Sequence, residues 1–441
     1  MPDNIHTAAI LKKFQIETLN SMQEEAYASI KTGNDLILLS PTGTGKTLAF
    51  VLPLIERLDK DSTELQLLIV VPSRELAQQI EQVIRKMGSG FKVNAVYGGR
   101  AGMMDKQDLK HTPAILIGTP GRIADRFRRD NYSLDHIKTL VLDEFDKSLE
   151  IGFHEEMEEI IETLPNLLQR ILTSATTDAE IPRFVGLRNP ATVDYLKDGN
   201  TQLAIKVIYS PAKDKLHTLK EALAFIGHQP GIIFCNVKDA LHRISDYLND
   251  NDIDHSCFHG GMEQIDRERS LIKFRNGTNQ ILLATDLAAR GLDITEIKFI
   301  IHYHLPPREK EFTHRNGRTA RMNRDGTAYI LHWKNEPLPD FIQDISPEEN
   351  DIEDLSKSTL EPPVKWTTLY ITGGRRDKIS KGDVAGLFYK QGQLKKEQLG
   401  TIEIKQNCTY VGVHSEVVKD LIDKVNNSKL KKKKVRVSII G

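Results

Sequence analysis

Lys46 and Thr47 close the segment SPTGTGKT (residues 40–47), which follows the apolar run DLILLS and precedes LAFVLPLIERL. In a strand–loop–helix setting, Thr42, Gly43, Thr44 and Gly45 let backbone N–H groups converge on phosphate oxygens. Lys46 can then reach the outer phosphates, and the Thr47 hydroxyl can ligate Mg²⁺. Ser40 stands where the strict phosphate-loop pattern has glycine, so the reading rests on the flanking strand and helix. Further on, VLDEFDKSLEIGF (141–153) sets Asp143 and Glu144 at the end of an apolar strand, with Asp146 just after them. A carboxylate beside a phosphate loop can hold Mg²⁺ through water, and a neighbouring Glu can orient or deprotonate an attacking water. Each segment also has a structural reading: a glycine-rich turn capping a helix, and acidic residues favouring a helix N-terminus. Their presence in one chain favours phosphate chemistry. Phe145 is the anomaly, a bulky apolar residue inside the acidic cluster.

Such side chains need a rigid edge to stand on. DLILLS, LQLLIVV, AILIGT, TLVLDE and RILTSA are strand-length and apolar on both faces, with amphipathic segments such as ELAQQIEQVIRKM between them. That alternation predicts a parallel, helix-covered sheet. It restarts near residue 204 with AIKVIYS, GIIFCN, QILLATD, KFIIHYH and GTAYILH, giving a second α/β domain. SPEENDIEDLSKSTLEPPV (346–364) reads as a linker. After it, TTLYITGG, GDVAGLFYKQG, GTIEIKQ, TYVGVH, SEVVKDLIDKVNN and KKVRVSII follow the β-α-β-β-α-β order of a small ferredoxin-like sandwich. The expected division is 1–203, 204–345, linker 346–364 and 365–441, consistent with about three domains for 441 residues.

Charge is segregated. The net charge is −1, yet residues 365–441 carry 17 Lys plus Arg against 7 Asp plus Glu. A basic tail on an acidic body points to a polyanion-binding module. Apolar runs fall short of the ~18 residues of a membrane span, and the N-terminus lacks the layout of a secretory signal. The 3 cysteines show neither metal spacing nor even pairing, as suits reduced thiols in a cytosol. A cytoplasmic protein without a membrane partner is expected.

From about residue 14 to 335 the chain resembles a DEAD-box RNA helicase of superfamily 2. The motifs run in order: SPTGTGKT, PSRELA (72–77), GG (98–99), TPGR (119–122), DEFD and SAT (174–176). IIFCN (232–236), HGGMEQIDR (259–267), ATDLAARGLD (284–293) and HRNGRTAR (314–321) complete the series. The resemblance implies two RecA-like domains with ATP and Mg²⁺ at a cleft, Lys46, Asp143, Glu144, Arg318 and Arg321 being catalytic. Gln23 would read adenine, Asp293 would help hold the nucleotide, and Thr47 with water-bridged Asp143 would hold Mg²⁺. Ser174, Thr176 and Asp146 would couple the γ-phosphate state to strand separation. Arg74, Gly99, Thr119, Gly121, Arg122, Gln264, Arg267, Thr285 and Asp286 would line an RNA track that ignores base sequence. This chain departs from the family in Leu19-Asn20 before the glutamine motif and in Phe145, where the family has Ala. Phe145 is expected to point to the packing side behind the site.

The tail, through TLYITGGRRDKISKGDVAGLF and KLKKKKVRVSII, resembles the C-terminal RNA-binding domain of the DbpA subfamily, a divergent RNA-recognition motif. Tyr370, and secondarily Tyr410, would stack bases. Arg375, Arg376, Lys378, Lys381 and Lys431 to Lys434 would contact phosphates. The resemblance implies a monomeric ATP-dependent RNA helicase that unwinds short duplexes, targeted to large-subunit ribosomal RNA or a pre-ribosomal particle. Alternatives are a double-stranded-DNA translocase and an ATP-gated RNA clamp with little turnover.

Overall fold

A computed structural model describes residues 5–41, 43–98, 112–129, 133–176, 180–196, 203–286, 297–319, 325–358 and 365–440. The chain forms two compact units that divide between Gln202 and Leu203.

The first unit is built on strands β1 Leu36–Leu39, β2 Leu67–Val70, β3 Val93–Val96, β4 Ile115–Gly118, β5 Thr139–Leu142, β6 Gln169–Ser174 and β7 Ala191–Asp194. Its helices are α1 Ile5–Phe14, α2 Ser21–Thr32, α3 Lys46–Ile55, α4 Arg74–Met87, α5 Pro120–Arg129, α6 Phe145–Ile151 and α7 His154–Glu162. Among the described residues the strands pair in the order β3-β4-β2-β5-β6-β1-β7, all parallel. β2, β4, β5 and β6 are buried throughout, as apolar strands covered on both faces must be. One face packs Leu36, Leu38, Phe50, Ile69 and Ile171; the other packs Leu68, Val70, Leu116, Leu142 and Leu172. Local signals fix the helix ends. Asn20 and Gln23 form a capping box at α2, and Ser73 caps α4 through the Leu76 N–H, while Gly33 and Gly88 end these helices in the left-handed region.

The second unit holds β8 Leu203–Ser210, β9 Gly231–Cys235, β10 His255–Phe258, β11 Ile281–Thr285, β12 Phe299–His302, β13 Gly326–Trp333 and β14 Glu348–Asp351. Helices α8 Leu216–Ile226, α9 Lys238–Asp250, α10 Gln264–Arg275 and α11 Glu309–Asn316 lie between them. The order β10-β11-β9-β12-β13-β8-β14 repeats the permutation of the first sheet, element for element. β14 corrects the expected linker at 346–364. The acidic run EEND pairs in parallel with the edge of β8, held by ion pairs Lys206–Glu348 at 2.9 Å and Lys334–Asp351 at 2.9 Å. Its side chains lack the apolar content that marks a strand; backbone pairing to an open edge and flanking lysines supply what they lack.

The tail completes this unit: β15 Trp366–Ile371, α12 Lys381–Lys390, β16 Leu399–Ile404, β17 Thr409–His414, α13 Val418–Val425 and β18 Val437–Ile439. Its antiparallel sheet has the order β16-β17-β15-β18, the expected ferredoxin-like sandwich, with Leu369, Val384, Phe388, Val411, Leu421 and Val437 in its core.

Candidate active site and nucleic-acid interface

Sheet order sorts the candidate residues. In a parallel sheet ligands gather at the carboxyl ends of the strands. In the first unit β1, β6 and β5 are neighbours, and at their ends stand the loop 40–47, Ser174 and Thr176, and Asp143 to Asp146. β2, β4 and β3 form the other half; at their ends stand Arg74, Thr119 with the first turn of α5 (Gly121 and Arg122), and Gly98. The nucleotide candidates and the RNA candidates therefore occupy separate halves of one edge.

The phosphate loop is shaped by its own side chains. Gly43 and Gly45 lie at φ 86 and 88, where a side chain would be strained. Ser40 takes the place of a glycine by donating its hydroxyl to Thr44 Oγ1 at 2.7 Å, and Thr44 Oγ1 in turn donates to the Pro41 carbonyl at 2.9 Å. Lys46 Nζ donates to the Ser40 and Pro41 carbonyls at 2.6 and 2.8 Å. Burial pushes its ammonium down to about 8, against the pull of Glu144 and Asp143. Gln23 is 5% exposed; its Nε2 donates to the Gly45 carbonyl at 3.3 Å and its Oε1 accepts from the Asn20 N–H at 3.1 Å. Asn20, a departure from the family lead-in, donates to the Thr44 carbonyl at 3.1 Å and so ties the glutamine motif to the loop.

The acidic cluster is buried: Asp143 is 3%, Glu144 7% and Asp146 1% exposed. Burial and the neighbouring Glu144 charge raise the Asp143 carboxyl to about 6, while Thr173 and Lys46 act the other way. Phe145 lies on the expected packing side, as the first residue of a helix rather than as part of the strand. β5 ends at Leu142, Glu144 sits in the left-handed region at φ 48, and Phe145 opens α6. Phe145 is 3% exposed and packs with Val70, Leu142, Ile160 and Leu172, on the helical side behind the site. Asp146 Oδ2 accepts from Thr176 Oγ1 at 3.3 Å, and Ser174 Oγ donates to the Thr176 carbonyl at 2.8 Å. The three coupling candidates thus form one chain of contacts. Two neighbours escaped the sequence reading. Lys147, wholly buried, lies 3.3 Å from Glu144 Oε2. Thr173 donates to Asp143 Oδ1 and accepts the Glu144 N–H. Neither belongs to a recognisable motif.

In the second unit Gln264 and Arg267 open α10 after β10, and Thr285 ends β11, the strands equivalent to β3 and β4. The Arg267 guanidinium lies over the Phe258 ring, 4.9 Å from its centroid. Asp286 behaves otherwise than expected: its carboxylate takes both Arg315 Nε and Nη2, at 2.5 and 2.6 Å. Arg315 is 2% exposed and also donates to the His304 carbonyl and to Asn236. A carboxylate engaged this way anchors α11 rather than meeting phosphate. Arg318 is buried beyond α11, and Thr42, Gly99, Asp293 and Arg321 lie outside the described residues.

The tail corrects the stacking assignment. Tyr410 is 3% exposed, and Tyr370 is half-buried beside it, the rings edge to face at 5.7 Å. Both pack with Ile272 of α10 and Ile440. Around them Asn276 Nδ2 donates to Thr368 Oγ1 at 3.2 Å, Thr278 and Thr368 hydroxyls meet at 2.7 Å, and Arg275 pairs with Glu403 at 3.0 Å. The sheet face that would present aromatics to bases is occupied by the second α/β domain. Arg375, Arg376 and Lys378 are exposed on the segment that leads into α12, and Lys381 is exposed as its first residue. Gly374 is obligatory there, since a Cβ would come within 2.4 Å of the Lys405 carbonyl. Lys432 and Lys434 are also exposed, whereas Lys431 pairs with Asp383 and Lys433 with Asp377, each at 2.9 Å.

Three sequence families match in succession: DEAD/DEAH box helicase over residues 20–184, helicase conserved C-terminal domain over 214–323, and DbpA RNA binding domain over 368–439. The chain is 31% identical to the ATP-dependent RNA helicase DbpA of Escherichia coli over 96% of its own length and 94% of that protein. The chain belongs to the DbpA group of DEAD-box ATP-dependent RNA helicases. The Bacillus subtilis DbpA is 32% identical over 95% of this chain and 94% of that one. Among solved structures, Saccharomyces cerevisiae Dbp5 bound to RNA and ADP BeF3 shares the fold with a TM-score of 0.70 at 24% identity, covering 80% of this chain and 94% of that chain. This helicase therefore uses ATP and binds RNA, and no helix among its described residues is long and apolar enough to cross a membrane.

Proposed function

We propose that this helicase locally separates short duplexes in large-subunit ribosomal RNA during ribosome assembly, as a cytoplasmic monomer, with its tail choosing the RNA. What carries the reading is the tail: an RNA-binding domain seated on α10, whose N-terminal residues Gln264 and Arg267 are RNA-track candidates, with the basic side chains Arg375, Arg376, Lys378 and Lys381 exposed. Backbone phosphates supply affinity there, and the shape of a folded RNA supplies choice.

Mg²⁺ fits the first unit. Asp143 is a hard oxygen donor buried beside two further carboxylates, and no described group of three or more His, Cys, Asp or Glu is arranged to hold a metal alone. That suits an ion held mainly by water and phosphate. Thr47 and, through water, Asp143 would hold it, and when bound it would neutralise charge on the phosphates. Lys46 leaves its two loop carbonyls to meet the outer phosphates, Glu144 orients water, and Asp146 with Thr176 reports the state of the site to Ser174. Phe145, packed behind the site, gives no ground for a turnover-dead clamp.

The test is strand separation of matched RNA and DNA duplexes with Lys46→Ala and Glu144→Gln as controls. RNA unwinding that both substitutions abolish, with tail RNA affinity intact, supports the reading. Equal unwinding of DNA contradicts it, as does loss of tail binding with either substitution.

A further inference from the structure

We infer that Thr173 is a positioning residue for the Mg²⁺–ATP site, a single hydroxyl that holds the Asp143 carboxylate and the Glu144 backbone at once; this rests on the metal reading above. Thr173 is 0% exposed on β6, directly across from the point where β5 ends. A hydroxyl has one proton to give and two lone pairs. Here the proton goes to Asp143 Oδ1, and a lone pair takes the Glu144 N–H at 3.1 Å.

Both bonds matter for geometry. The last ladder bond at this strand end is Asp143 N–H to the Val70 carbonyl at 3.0 Å. One residue later the backbone turns left-handed at Glu144, φ 48 and ψ 48. That conformation is unfavourable for a residue with a side chain and persists only where its surroundings hold it. Thr173 supplies a hold at the N–H of the turning residue itself. Through the other bond it restrains rotation of the Asp143 carboxylate at Oδ1, and a carboxylate so held would meet the water shell of Mg²⁺ in one orientation. Asp143 and Glu144 are adjacent in sequence but do different work, and the Thr173 hydroxyl is bonded to both residues. Replacing a group that orients a metal-associated ligand typically costs roughly 10- to 100-fold in metal affinity or activity.

A purely structural threonine would fill the same space without affecting Mg²⁺, so the test separates shape from hydroxyl. Full-length wild type, T173V and T173S are titrated with Mg²⁺ while equilibrium binding of a fluorescent ATP analogue is followed; melting temperature is measured in parallel. Removing the hydroxyl in T173V is expected to raise the Mg²⁺ midpoint about 10- to 100-fold, and T173S to restore it. Should T173V fail to fold, T173A against T173S must show the same order. A Mg²⁺-dependent wild type with an unshifted hydroxyl-free variant overturns the assignment, as does T173S behaving like T173V. A wild type indifferent to Mg²⁺ overturns the metal reading and the assignment with it.

Discussion

Phe145→Ala distinguishes a core residue from a plug in the active site. Phe145 is 3% exposed against Val70, Leu142, Ile160 and Leu172. Truncating a phenylalanine so placed removes its transfer free energy and leaves a cavity, a loss of about 3–5 kcal/mol. In a unit of this size each kcal/mol lowers the melting temperature by roughly 2–4 °C, so the shift should be about 6–20 °C. The chain offers an internal control. Its 2 tryptophans, Trp333 and Trp366, both lie in the second unit. Far-UV circular dichroism should therefore show an early transition in the variant, while the tryptophan-fluorescence transition stays in place. RNA-stimulated turnover per folded molecule should not rise. An unchanged dichroism melt together with a many-fold gain in ATPase activity would refute the reasoning and make Phe145 an obstruction to chemistry.

The remaining expectations concern charge, docking and RNA. In the nucleotide-free protein the folded state holds the Asp143 proton up to about pH 6, above the ordinary 3.8. Stability from this group is therefore present below the unfolded value and lost as pH rises through 6. Asp143→Asn should gain on wild type across that window by roughly 1–3 kcal/mol in urea unfolding, and a gain that shrinks as pH rises would contradict the assignment. Gly412→Leu places atoms where a Cβ alone would already come within 3.3 Å of Asn276; it should undock the tail, seen as red-shifted Trp366 emission, and an unshifted spectrum counts against the packed interface. Arg375, Arg376 and Lys378 changed together to Ala should lower the salt slope of RNA binding by up to about 3, whereas Tyr370→Ala should leave that slope unchanged. Base stacking carries no counterion release, so a loss of RNA affinity in Tyr370→Ala at that unchanged slope would return stacking to the tyrosines.

Much of the catalytic edge was legible in the sequence because apolar strands announce themselves and the chemistry sits just past their ends. β1 and β5 end in the phosphate loop and the carboxylates, and both were read correctly as strands. VNAV, HSCF and EEND were not, because Asn94, His255 and the acidic run of β14 break the apolar pattern. Those segments are strands by pairing to a neighbour rather than by composition. The misplaced roles share one cause. Whether Asp286 meets phosphate or Arg315, and whether Tyr410 meets a base or Ile272, depends on a partner distant in sequence. Thr173 and Lys147 lay hidden for the opposite reason: each is an ordinary residue beside a motif, and only the turn at Glu144 brings it to the carboxylates.

The most direct measurement is ATPase rate of the full chain with no RNA, with generic RNA and with a large-subunit ribosomal RNA fragment. Stimulation by RNA, strongest and saturating at lowest concentration with the ribosomal fragment and lost in Glu144→Gln, is the predicted result. Equal stimulation by every RNA would contradict targeting by the tail, and no stimulation by any would contradict the coupling of the ATP site to RNA.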